Sequence, residues 1–215
     1  MPRRLTPFAP GEFYHLFNRS IHRQPIFGKK RDVQIFKELV MYYTQTIPPI
    51  KFSYYRSNPD KYVVDFSNRL VTIISFCHMP NHFHFSVKQE VEGGVQKFMQ
   101  RILNSFSHYY SIKHDNRGPL FETTFKAVHI ETDEQLIHLS RYHHLNPVTA
   151  YLVEHPKDYP HSSYQNYLGQ PSQIIDVSYV LSHFRSVTEY ERFVLDQKDY
   201  QRELDTIKHM VFDKQ

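Results

Sequence analysis

Cysteine, tryptophan and long hydrophobic runs are scarce or absent in this sequence. The 215 residues include one cysteine, Cys77, and no tryptophan. A single cysteine excludes an intramolecular disulfide and a zinc cluster built from several thiolates. No apolar run approaches the roughly 18 residues that a transmembrane helix needs, and no apolar stretch follows the charges near Met1. We therefore expect no membrane span, no secretory signal and a cytoplasmic location.

The composition is that of a folded protein with a weak preference for an acidic partner. Hydrophobic residues make up 40% of the chain and charged residues 22%, which suits one sizeable domain with or without an appendage. The formal net charge of +4 slightly favours nucleic acid as a partner. Histidine is unusually common, with 15 copies, so the question is whether any of them are placed as chemistry requires.

Hydrophobic periodicity predicts alternating strands and helices. Strands are predicted at 13–19, 70–77, 82–87 and 121–130, and helices at 32–46, 95–112 and 133–145. Asp32 is the expected N-cap of the first helix and Thr132 that of the third, which should end near Pro147. Pro80-Asn81 predicts a turn between antiparallel strands. Residues 50–69 are ambiguous and have the composition of two short strands, 52–56 and 62–66.

The order β-α-β-β-α-β-α predicts an α+β, ferredoxin-like fold with a split β-α-β pattern and an antiparallel sheet. Residues 155–215 differ from the rest, because a stretch rich in Pro and Tyr precedes a polar, helical tail. We therefore predict a main domain at 1–154 and an accessory helical segment at 155–215.

Two pairs of residues have spacings that suit a metal site. His82 and His84 lie two apart on a predicted strand, so both imidazoles face the same way and can share a divalent cation. Tyr142 and Asn146 lie four apart on one helix face, and the Asn146 amide oxygen suits Mg²⁺ or Mn²⁺. Each pair has a plainer interpretation, as surface histidines and as a helix-face aromatic. The neighbouring His143 or His144 is an alternative ligand.

The two motifs together resemble the single-tyrosine HUH transposases, and most closely their REP-associated branch. The resemblance rests on residues 79–84 (MPNHFH) followed by residues 142–148 (YHHLNPV). Residues 14–19, 120–126 and 158–164 are also similar, so it covers the chain from about residue 10 to residue 170.

The resemblance implies a function and a set of site residues. It implies a divalent-metal-dependent transposase that nicks and rejoins single-stranded DNA at hairpin or repeat elements through a 5′-phosphotyrosine. Tyr142 would be the nucleophile, and His82, His84 and Asn146 the ligands of Mg²⁺ or Mn²⁺. Because a proline disfavours α geometry in the residue before it, we expect Asn146 at a distorted turn. Candidate phosphate-binding residues are Arg19, Arg23, Lys29, Lys30, Arg31, Arg117 and Lys126.

Two other functions remain open at this stage. A DNA-binding module without catalysis could recognise the same repeats or hairpins. An RNA-binding or RNA-processing protein is the other alternative, because ferredoxin-like sheets with surface aromatics also bind RNA. Whether the protein is a monomer or a homodimer is left open as well.

Overall fold

A four-stranded antiparallel sheet organises residues 7–196, the part of the chain that the computed structural model describes. Its strands are β1 (Phe13–Arg19), β2 (Val71–Met79), β3 (His82–Gln89) and β4 (Lys126–Ile130). They lie in the order β2-β3-β1-β4, and each neighbouring pair is antiparallel. This arrangement confirms the predicted α+β, ferredoxin-like architecture. The predictions for residues 1–6 and 197–215 lie outside the described residues.

Helices cover both faces of the sheet. They are α1 (Lys30–Tyr43), α2 (Phe52–Ser57), α3 (Gly94–His114), α4 (Asp133–Thr149), α5 (Tyr164–Tyr167), α6 (Ser178–Leu181) and α7 (Val187–Leu195). The main core lies between one face of the sheet and helices α1 and α3, and α4 packs on the other face over β2 and β3. None of the helices between residues 7 and 196 combines the length and hydrophobicity that crossing a bilayer requires.

The side chains of β1 alternate between a face that packs on the core and a face that is half-buried. Tyr14, Leu16 and Asn18 are buried on the side of α1 and α3, whereas His15 and Phe17 on the other side are half-buried. Because α4 lies over β2 and β3, the α4 side of the sheet is more open at β1 and β4. Val128 of β4 is 53% exposed there. The fold therefore leaves an accessible sheet surface beside the histidines of β3.

The C-terminal segment closes the edge of the sheet at β2. Single bridges join Cys77 to Ser162 and Ile73 to Ile175, so β2 is not a bare edge strand. Tyr164, Tyr167 and Tyr190 are fully buried in a second core with residues of α4. These contacts tie the segment to the sheet and to α4, and the division at residue 154 stays a prediction.

Three predicted elements differ from the structure. The first helix begins at Lys30 rather than after Asp32, whose buried carboxylate instead accepts a hydrogen bond from the Tyr109 hydroxyl at 2.7 Å and contacts His114 Nε2 at 2.9 Å. This network fixes the start of α1 against the end of α3. Asp32 therefore serves tertiary packing and not capping.

The ambiguous residues 50–69 form helix α2 and no strand. Phe52 and Tyr55, three residues apart, both contact the ring of Tyr42, with ring centroids 5.5 and 4.6 Å away. Residues three apart lie on one face of a helix but on opposite faces of a strand. The prediction of strands at 52–56 and 62–66 is therefore wrong, because packing on Tyr42 decides between the two periods.

The last strand is shorter than predicted, running from Lys126 to Ile130 rather than from residue 121. The Asn18 side-chain amide donates to the carbonyls of Thr123 and Thr124 at 2.9 and 3.2 Å. These carbonyls are thus satisfied by a side chain and not by a neighbouring strand. Residues 121–125 form an irregular segment over the end of β1.

We predict that Gly94→Ala destabilises the fold. An added Cβ would lie 2.2 Å from the Leu70 carbonyl oxygen, where the start of α3 crosses the start of β2. Overpacking of this kind lowers the free energy of unfolding by about 1–3 kcal/mol, measured by urea denaturation. Gly118→Ala is the control, because its Cβ would meet nothing within 4 Å. Equal losses in the two variants would contradict the assigned close approach.

Candidate metal and tyrosine site

His82 and His84 lie side by side on the face of β3 that α4 partly covers. Their ring centroids are 5.0 Å apart, with the rings nearly perpendicular at 88°. His82 Nδ1 lies 2.6 Å from Asn81 Oδ1, so a proton on Nδ1 leaves the Nε2 lone pair available. His84 is 7% exposed, and its Nε2 is buried with no hydrogen-bond partner in the described chain. The pair therefore presents imidazole nitrogens that the protein itself does not use.

Tyr142 approaches this pair from α4. Its ring centroid lies 5.5 Å from that of His84, in an edge-to-face arrangement at 86°. The side chain is 40% exposed, so its position combines contact with His84 and access from solvent. The histidines and the tyrosine thus meet within one chain, without a contribution from a second subunit.

The two histidines that follow Tyr142 are buried and differ in their bonding. His144 has both ring nitrogens in hydrogen bonds, Nδ1 with the Tyr190 hydroxyl at 2.7 Å and Nε2 with Ser163 Oγ at 2.8 Å. His143 Nδ1 lies 2.8 Å from Ser75 Oγ, but its Nε2 is buried without a partner among residues 7–196. Of the two alternative ligands, only His143 has a nitrogen to spare.

Asn146 lies in a regular part of α4, which corrects the expectation of a distorted turn. The helix continues to Thr149 with Pro147 inside it, and the Asn146 carbonyl accepts a bond from Ala150 N at 3.0 Å. The helix runs two residues beyond its predicted end near Pro147, because buried neighbours, Pro147 among them, hold this last turn against the core. Asn146 sits one turn after Tyr142, and its buried Nδ2 has no partner within residues 7–196.

His15, which no sequence motif singles out, belongs to the same group of imidazoles. His15 Nε2 lies 3.0 Å from His84 Nδ1, and ligand atoms of His15, His84 and His143 all lie within 4.8 Å of one another. The pairing of β1 with β3 puts His15 opposite Ser86, next to the position of His84. His15 and Phe17 lie on the same face of β1, and Phe17 pairs with His84. A predicted pairing of β1 with β3 would therefore have identified His15.

Burial keeps these imidazoles neutral. It lowers the pKa of His15 and of His82 to about 4, with the positive charge of Arg19 adding to the effect at His82. The pKa values of His84 and His143 also fall well below the ordinary value, first through burial and then through the neighbouring histidines. Neutral imidazole is the form that binds metal. With unpartnered nitrogens at His84 and His143, the residues fit a divalent cation.

Two of the predicted basic residues lie at the site. Arg19 and Lys126 line a small cavity of about 110 Å³ together with His82, His84 and Phe17. The remaining candidates, Arg23, Lys29, Lys30, Arg31 and Arg117, are exposed and do not line it. Arg117 lies 3.5 Å from the Asp115 carboxylate instead. Two larger cavities, of about 490 and 720 Å³, have none of the four clustered histidines in their walls.

Comparison with known proteins finds a similarity of structure and no match in sequence. No known protein-family profile matches the chain, and no curated protein matches its sequence. A solved structure of a REP-associated tyrosine transposase bound to a REP hairpin matches with a TM-score of 0.52 and 13% identity, covering 82% of this chain and 93% of that one. The chain has the fold of a REP-associated tyrosine transposase.

The transposase fold agrees with the resemblance that the sequence motifs carry. The likeness extends over most of both chains. At 13% identity it establishes the fold and leaves the roles of His82, His84, Tyr142 and Asn146 as proposals.

We predict that the metal-free protein loses stability as the pH falls from about 6.5 toward 4. The folded-state pKa values of His15 and His82 are lowered to about 4, so the unfolded chain takes up protons that the folded chain refuses. This stabilisation is complete above pH 6.5 and declines by at most about 2 kcal/mol per histidine on reaching pH 5.

Urea denaturation in EDTA at neutral and acidic pH measures this effect. His15→Phe removes one of these buried imidazoles and should reduce the loss, whereas His138→Phe, at a histidine of α4 outside the cluster, should not. An identical pH dependence in all three proteins would contradict the assignment.

Proposed function

We propose that the protein is a metal-dependent endonuclease and strand transferase for single-stranded DNA, with Tyr142 as its nucleophile. The observation that carries this proposal is the 5.5 Å contact between the rings of Tyr142 and His84, beside the His82–His84 pair. A plain water-activating nuclease has no need of a tyrosine at that position. A covalent phosphotyrosine conserves the energy of the DNA backbone bond and permits rejoining without ATP.

His82 and His84 would hold Mg²⁺ or Mn²⁺, with Asn146 as the third protein ligand. The support is the donor set: the unpartnered Nε2 of His84, the Nε2 lone pair of His82 and an amide one turn from Tyr142. When bound, the cation would polarise the scissile phosphate and offset the charge that develops on it.

Tyr142 then forms the covalent bond. Its phenolic oxygen bonds to phosphorus as the P–O3′ bond breaks, the phenolic proton passes to water, and the departing 3′ oxygen takes up a proton. The products are a 5′-phosphotyrosine and a free 3′-OH. Attack by a second 3′-OH on the phosphotyrosine reverses the chemistry and joins a new pair of DNA ends, which is the transposase reaction.

The walls of the cavity suit an approaching DNA strand. Arg19 and Lys126 place positive charge beside the histidines, where a phosphate would sit. The half-buried Phe17 offers a face for base stacking on the open part of the sheet. The structural neighbour binds a REP hairpin. We propose that this chain likewise takes single-stranded DNA bearing hairpin or repeat elements.

A nucleic-acid-binding module without catalysis is the second candidate. One observation favours it: the cavity that Arg19, His82 and His84 line does not have Tyr142 in its wall. Binding of DNA hairpins without any covalent adduct, under several metals and sequences, would select this function. Competition between matched DNA and RNA strands separates a DNA module from an RNA module.

We predict that Tyr142→Phe abolishes a covalent protein–DNA adduct. The wild-type protein, incubated with single-stranded hairpin oligonucleotides and Mn²⁺, should form an adduct visible by denaturing electrophoresis. Loss of the nucleophilic oxygen should reduce its rate by about 10³-fold or more. EDTA should prevent it as well.

Tyr151→Phe is the matched control for this experiment. Tyr151 is 65% exposed just after the end of α4, and its replacement should leave the adduct unchanged. An adduct that persists in Tyr142→Phe would overturn the proposed nucleophile.

We predict that Arg19→Ala and Lys126→Ala weaken DNA binding, whereas Arg117→Ala does not. If each of the first two contacts one phosphate, its removal should lower the slope of log affinity against log salt concentration by about 0.7. Fluorescence anisotropy with a labelled single strand over a salt series measures that slope. A loss shared equally by Arg117→Ala would place the DNA elsewhere on the surface.

A further inference from the structure

Three imidazoles from three different elements meet beneath the proposed cutting site. His15 comes from β1, His84 from β3 and His143 from α4, and their ligand atoms all lie within 4.8 Å of one another. This group shares His84 with the proposed catalytic pair but contains neither His82 nor Asn146. Its donors are all nitrogen atoms.

His143 is held as a metal ligand would be held. Its Nδ1 lies 2.8 Å from Ser75 Oγ, and when that oxygen accepts the ring proton, Nε2 keeps its lone pair. That Nε2 is buried, the residue is 0% exposed, and no atom of the described chain bonds to it. A buried lone pair without a partner is costly, and a metal ion would satisfy it.

We propose that His15, His84 and His143 form a second, nitrogen-only metal site that selects Zn²⁺ or Co²⁺ over Mg²⁺. Imidazole ligands suit zinc and other late transition metals, whereas Mg²⁺ prefers oxygen. Three histidines leave a fourth position for water, the arrangement of an open tetrahedral site. His15 is only partly buried and offers the route of entry.

The spacing needs a modest adjustment to close around an ion. Two nitrogens on one tetrahedral zinc lie about 3.3 Å apart. His15 Nε2 and His84 Nδ1, now 3.0 Å apart, are already near that separation. The widest pair in the group must close from at most 4.8 Å, a shift of about 1.5 Å that rotation of the rings supplies.

A metal ion at His15, His84 and His143, the inner site, excludes one at His82, His84 and Asn146, the outer site. This inference rests on the proposed function. A neutral imidazole has one lone pair. When the outer site is occupied, His84 carries its proton on Nδ1, where it forms a hydrogen bond to His15 Nε2, and Nε2 binds the outer cation. In the inner-site state, the proton moves to Nε2 through solvent and Nδ1 binds the metal. Zn²⁺ therefore switches off cutting by withdrawing His84.

Cobalt spectroscopy tests the inner site without reference to activity. The full-length protein, freed of metal by dialysis against EDTA, is titrated with CoCl₂ while the visible d–d absorption is recorded. The wild type should bind one Co²⁺ with the absorption of a tetrahedral nitrogen site. His143→Leu and His15→Phe should each weaken binding by at least about 100-fold, since loss of a ligand exceeds loss of a supporting partner.

Two control variants test whether cobalt binding depends specifically on His15, His84 and His143. His138→Leu removes an exposed histidine of α4 outside the cluster and should retain the cobalt signal. His82→Ala removes the outer pair and should retain it too. His15→Phe, at a partly exposed position, serves if His143→Leu does not fold. Cobalt binding that survives His15→Phe, or that is lost in His82→Ala, would overturn the proposal.

Inhibition of adduct formation by zinc tests whether a metal ion at the inner site excludes one at the outer site. With each protein compared to its own rate in Mn²⁺ alone, Zn²⁺ should inhibit the wild type at lower concentrations than those that inhibit His143→Leu. Equal inhibition of the two proteins would refute the competition for His84. Absence of any adduct with Mn²⁺ alone would instead refute the proposed function, and the cobalt titration would still decide the inner site.

Discussion

The rotation of α4 about its own axis is the constraint on which the site depends. Successive side chains on a helix point about 100° apart, so fixing two of them fixes the third. His143 is tied to Ser75 on β2, and His144 to Tyr190 and Ser163 of the C-terminal segment. Tyr142, immediately before them, is thereby turned toward His84. The segment beyond residue 155 thus contributes to the orientation of α4 at the site.

The sheet supplies the other half of the geometry. Strand alternation sets His82 and His84 on one face, and the β1–β3 register places Arg19 opposite His82 and Phe17 opposite His84. The interior of the cluster is buried and its imidazoles are neutral, whereas the cations of Arg19 and Lys126 are at the exposed rim. Lone pairs inside and positive charge outside form a combination that suits a metal-bound phosphate.

Local patterns predicted the parts of this arrangement that are local in origin. His82 and His84 face the same way because side chains on a strand alternate between its two faces. Thr132 caps α4 as the sequence pattern predicts, and its side chain accepts a hydrogen bond from Gln135 N. The errors came from tertiary contacts: Asp32 bonds to α3, Phe52 and Tyr55 pack on Tyr42, and α4 continues through Pro147. His15 was missed because its importance depends on which strand lies beside it, and the spacing of motifs says nothing of that pairing.

Crystals of the protein soaked in MnCl₂ test the central claim most directly, through anomalous scattering from manganese. The account predicts a peak within bonding distance, about 2.2 Å, of Nε2 of both His82 and His84, with the Tyr142 hydroxyl on the same side. A well-ordered site that holds no manganese at saturating concentration, or a peak bound only by residues outside this pair, would contradict it.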